Sequence, residues 1–143
     1  MQSSPPGLPM SRRSRFAFLG LIVAQAAHSI EEYFFRLFDV FAPARFVSGL
    51  LSSDLARGFA LANLLLVSFG IWCYLARVRP DHRLGRGLAW FWAVLEFANG
   101  VLHSLLALSR GYFPGAATAP LLLGVSTYLV VTLARRSTQP SMR

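Results

Sequence analysis

Runs of apolar residues separated by short polar stretches divide the chain into four segments, at about 16–38, 56–76, 87–109 and 116–134. Each approaches the ~20 residues with which an α-helix crosses about 30 Å of hydrocarbon. Open strands leave backbone groups unsatisfied in lipid, so helices are the expected spanning element. The pattern predicts an all-α protein, a four-helix transmembrane bundle, with residues 15–136 as a single membrane domain. The proline- and serine-rich lead, residues 1–14, is expected to be disordered and cytoplasmic, and residues 137–143 to be a flexible tail. Between the first two segments, Asp39 to Ser53 suits a short interfacial piece, and Asp54 is placed to cap the second helix. Gly111 to Pro120 reads as a structured outer turn.

Composition agrees with the pattern. At 55% hydrophobic and 14% charged residues, the chain lacks the polar surface that a soluble domain of 143 residues needs. All of the 14 basic residues are arginine, and they cluster before the first segment (Arg12, Arg13, Arg15), between the second and third (Arg77, Arg79, Arg83, Arg86) and after the fourth (Arg135, Arg136, Arg143). The other two connections hold fewer, so the net charge of +8 reads as a positive-inside signal rather than a nucleic-acid surface. Both termini and the middle loop are therefore expected in the cytoplasm, with the bundle in a bacterial cell membrane. Membrane lipid is the expected partner, with no nucleic acid. Cys73, alone of its kind, reads as a small core hydrophobe. Ala24-Gln25-Ala26 imitates a signal-peptidase site, but apolar character continues through Phe38, which suits a retained span.

The polar residues inside the segments carry the chemistry. His28, Glu31 and Glu32 lie in the first segment and Glu96, Asn99 and His103 in the third. Ionisable groups are costly in hydrocarbon, and an intramembrane cluster of them points to function. Spacings of three and four put His28 with Glu31 and Glu32 on one side of the first helix, and Glu96, Asn99 and His103 follow one stripe of the third. Small residues beside that stripe (Ala89, Ala93, Gly100, Ala107) would let a neighbouring helix approach closely. Counted from Arg15 and Arg86, His28 and Asn99 fall at one depth and Glu32 and His103 at another, both in the middle to outer half of the bilayer. Asn63 reaches a similar level, where helix packing is its expected role. Tyr112 and Thr118 are balanced between turn or anchor residues and site members. His82 is expected to be a solvated loop residue.

His28-Ser-Ile-Glu31-Glu32, then Glu96-Phe-Ala-Asn99-Gly100-Val-Leu-His103, then Gly111-Tyr112-Phe-Pro114-Gly115, resembles the HXXEE family of small integral membrane proteins over roughly residues 16–134. The resemblance implies a membrane protein with an enzymatic activity whose reaction is unassigned.

From the residues themselves, the leading expectation is an enzyme with a divalent metal, zinc or iron, acting on a hydrophobic small molecule. The expected ligands are drawn from His28, Glu31, Glu32, Glu96 and His103. Glutamates outside the ligand set would serve as general base or orienters, and Asn99 would orient or contact substrate. Arg36, one turn past Glu32, could offset one carboxylate. Metal-free acid–base chemistry by paired carboxylates (an isomerase, cyclase or hydrolase) is one alternative. Proton or metal-ion transport, haem held by the two histidines, and purely structural hydrogen bonding are the others. A bis-histidine haem clamp is disfavoured by an expected height difference of about 6 Å between the rings.

Overall fold

The computed structural model describes residues 9–135, and over them the fold is all helical. Its elements are α1 (Arg12–Phe34), α2 (Leu37–Val40), α3 (Ala42–Leu51), α4 (Leu55–Cys73), α5 (Gly85–Arg110) and α6 (Ala119–Arg135), with a π-helical turn, Tyr74–Val78, extending α4. Two stretches, Leu55–Val78 and Gly85–Arg110, are long and apolar enough to cross a membrane. α1 is 23 residues long but carries polar side chains at Gln25, His28, Ser29, Glu31 and Glu32, and α6 has only 17 residues.

The helix ends follow from local chemistry. Ser11 accepts a hydrogen bond from the Ser14 N–H at 2.9 Å, so α1 starts at Arg12, inside the lead expected to be disordered to residue 14. That start is held by tertiary bonds: the Met10 N–H donates to Asp81 Oδ1 at 2.9 Å, and Arg15 pairs with Asp81 at 3.3 Å. The remainder of the expected lead, residues 1–8, and the tail from 136 lie outside the described residues. Asp54 caps α4 as the sequence predicts, accepting from the Ala56 and Arg57 N–H groups. Gly111, at φ 76°, ends α5 in the left-handed region that glycine adopts without a Cβ clash.

α1 lies against α4, α5 and α6, and α6 runs along α5. At Gly100 α5 and α6 approach closely: a Cβ there would meet Leu123 Cγ at 2.9 Å and the Ala119 carbonyl oxygen at 3.1 Å. α1, α4, α5 and α6 share one core of fully buried residues, among them Phe18, Cys73, Ala89, Trp92 and Leu129. Phe69 of α4 reaches Trp92 of α5 there, with ring centroids 6.0 Å apart. Beyond that contact α4 and α5 scarcely touch, and a cavity lies between them. Instead α2 and α3 fold back onto α4, with Leu37, Phe38, Phe59 and Phe113 forming a second core.

Candidate metal centre

The polar stripes of α1 and α5 meet. His28, Glu32 and His103 are all buried and offer ligand atoms within 4.8 Å of one another, a group able to hold a metal ion. Glu32 Oε1 lies 3.2 Å from Nε2 of His28 and 3.2 Å from Nε2 of His103. The imidazoles meet edge to face with centroids 4.7 Å apart. The height difference between the two rings is therefore smaller than the expected one of about 6 Å. With α1 beginning at Arg12 and α5 at Gly85, His28 and His103 lie 16 and 18 residues into their helices rather than 13 and 17 past an arginine.

The second nitrogen of each ring identifies where its proton sits. His103 Nδ1 is 2.7 Å from the Pro114 carbonyl oxygen, which can only accept, so Nδ1 carries the hydrogen. Thr118 Oγ1 donates to Glu31 Oε2 at 2.6 Å, so the 2.6 Å contact from His28 Nδ1 to that oxygen needs the histidine as donor. In the neutral rings both Nε2 atoms then face Glu32 with lone pairs, and His28 Nε2 is a buried atom with no hydrogen-bond partner. Three electron-rich atoms converge on one gap.

Each expected residue now has a place. Glu31 is turned away from the gap: its oxygens accept from the Ala117 N–H at 3.0 Å, the Thr118 N–H at 2.8 Å and the Thr118 hydroxyl. Glu96 is 1% exposed and stands outside the three-residue group, within electrostatic reach of His28 and Glu32. Asn99 donates from Nδ2 to Glu96 Oε2 at 3.3 Å and is half-buried. Asn63 accepts from the Ser29 hydroxyl at 2.6 Å, a packing bond between α4 and α1. Arg36 does not approach Glu32. It sits at φ 53°, pairs with Asp39 at 2.5 Å, and stacks over Phe38.

The loop before α6 is the part of the site that the sequence left undecided. Thr118 belongs to it, through bonds to both His28 and Glu31. Gly115 lies against both rings, and a Cβ there would come within 2.5 Å of His103 Nδ1 and 2.6 Å of His28 Cε1. Phe113 packs its ring edge to face on His103 at 5.3 Å. The available signal was the Gly-Tyr-Phe-Pro-Gly turn itself, close in sequence to His103.

A cavity of about 530 Å³ opens beside the cluster, between α3, α4 and α5. Glu32, Asn99 and His103 line it together with apolar side chains such as Val47, Leu66 and Leu95. No family model, no curated protein and no solved structure matches this chain.

Proposed function

We propose that this protein is a membrane-embedded enzyme that uses a single divalent cation, zinc or iron, held by His28, Glu32 and His103, to act on a lipid-soluble substrate. The observation that carries the reading is the pair of imidazole Nε2 atoms facing one carboxylate oxygen, with each Nδ1 already occupied by a hydrogen-bond partner. Metal-binding histidines characteristically donate their other ring N–H to a carbonyl or carboxylate partner, and both rings do so here, one of them through Thr118. Metal bonds of about 2.0–2.1 Å at tetrahedral angles separate neighbouring ligand atoms by roughly 3.4 Å. The two Nε2 to Oε1 distances of 3.2 Å are close to that edge. A shared proton fits less well, since charge-assisted N–H···O bonds shorten to about 2.7–2.9 Å.

Three protein ligands leave a fourth position for water or substrate, the arrangement of catalytic rather than structural zinc sites. Glu96, buried nearby and tied to Asn99, is the acid–base group in this scheme. In the bilayer α1, α4, α5 and α6 form the four-helix bundle, with both termini cytoplasmic and the metal centre in the outer half. Support for a membrane setting comes from exposure. The most apolar windows of the two long stretches are only 17% and 28% buried, unlike core helices of a soluble protein. Arginine asymmetry sets the orientation, and the motif resemblance to the HXXEE family agrees with the class.

Cobalt substitution tests the metal. Co²⁺ added to the detergent-purified protein should give the visible absorption of a four-coordinate ion, lost in His28→Ala and His103→Ala. A featureless spectrum, together with proton flux in sealed vesicles, would favour the transport reading instead.

A further inference from the structure

The cavity's walls and its polar end together restrict what can occupy it. On one side is α4, on another α5, and α3 closes the outer end. Because α4 and α5 touch near Phe69 and Trp92 but scarcely elsewhere, the space between them opens sideways. Leu95 and Leu102, both in its lining, are 38% and 42% exposed. Glu32, Asn99 and His103 give it a polar end at the metal cluster, and Ser48 and Asn63 are the other polar residues among its apolar walls.

Among the described residues, no arginine lines this space. The three arginines nearest in sequence are engaged elsewhere: Arg36 with Asp39, Arg45 with the Phe38 and Asp39 carbonyls, and Arg57 with Asp54. In the proposed centre Glu32 and Glu96 already balance the divalent ion, so a phosphate or carboxylate headgroup would bring further negative charge to this end with no cationic side chain in the lining to offset it. A volume of about 530 Å³ is that of a site for one small molecule and is too small for a two-tailed phospholipid.

We propose that the cleft admits, sideways from the bilayer, a neutral single-tailed lipid whose hydroxyl or carbonyl oxygen reaches the Glu32–His103 end, and that it rejects phosphorylated lipids of the same tail. This deepens the enzyme reading above and rests on its membrane setting. Asn99, an amide at the polar end beside a carboxylate, is the residue placed to hydrogen-bond that oxygen. The tail lies along Val47, Leu66 and Leu95.

The test uses the full chain in nanodiscs with two photoreactive probes, hexadecanol and hexadecyl phosphate, each carrying a mid-chain diazirine. The alcohol should label Val47, Leu66 or Leu95 at least about tenfold above the exposed Leu65, and above the phosphate probe at the same residues. Ala62→Trp, which fills the cleft, should abolish that enrichment. Val47→Trp on α3 repeats the test if Ala62→Trp does not fold. Equal labelling of Leu65, or equal labelling of the cleft by the phosphate, overturns the proposal. Metal content of the same samples separates the two readings: cleft labelling in metal-free protein keeps the substrate class and removes the metal, and stoichiometric metal without labelling does the reverse.

Discussion

Glu31 and Glu32 are adjacent in sequence but have different tasks. Glu32 points between the two imidazoles. Glu31 holds the loop that fixes them, because the Thr118 hydroxyl is locked between its carboxylate and His28 Nδ1. Helical spacing placed both on one side of α1, and periodicity alone could not divide the roles, since the division depends on a loop some 85 residues later folding back. Thr118→Val removes the acceptor for His28 Nδ1 and leaves the three ligands intact. It should weaken metal binding by about 10–100-fold in a chelator competition, the range for outer partners of metal-bound histidines. Glu31→Gln should weaken it in the same direction, and wild-type affinity in both variants would remove Thr118 and Glu31 from the site. Gly115→Ala tests the same loop sterically. At φ +90°, with a Cβ 2.5 Å from His103 Nδ1, alanine is strained and crowded. A cost of about 1–3 kcal/mol, read as a lower unfolding midpoint, is expected, with loss of metal.

At the scale of elements, the four apolar segments correspond to α1, α4, α5 and α6, and the Asp54 cap and the Gly111 stop were legible because each rests on one residue's local chemistry. The rest depended on distant contacts. The start of α1 at Arg12 is stabilised by Asp81, the residue before the His82 loop position, which no periodicity reveals. The interfacial piece expected between Asp39 and Ser53 is resolved into the end of α2 and the whole of α3, and α3 owes its position to a seam against α4. Gly58 makes that seam: a Cβ there would overlap the Ser48 carbonyl oxygen at 2.0 Å. Backbone cannot yield as a side-chain tip can, so Gly58→Ala should push α3 off α4. Destabilisation of about 1–3 kcal/mol is expected in denaturant unfolding, and cleavage of α3 by added protease should rise. A Gly58→Ala protein as stable and as resistant as wild type would show that the seam is not close-packed.

On the proposed reading, the whole molecule is a membrane bundle with a site between two of its helices. Topology is checked by single cysteines and a membrane-impermeant maleimide, with the native Cys73 fully buried. Ser109→Cys, at the outer end of α5, should react in intact cells, and Pro80→Cys, in the loop after the π-helical turn, only after permeabilisation. The opposite pattern would invert the bundle and contradict the arginine reading. What the sequence conveyed at this scale was the convergence of α1 and α5, because ionisable residues at helical spacing in two apolar segments have few other places to go. What it withheld was which three of the five candidates come together as a group able to hold a metal ion, which depends on side-chain direction and on the loop. The measurement that bears most directly on that selection is elemental analysis of detergent-purified protein, wild type beside His28→Ala, Glu32→Gln and Glu31→Gln. One divalent ion per chain, absent from the first two variants and weakened but present in Glu31→Gln, is the predicted result. Correctly folded wild-type protein that takes up no divalent ion, even when zinc or ferrous iron is supplied, would contradict the metal centre.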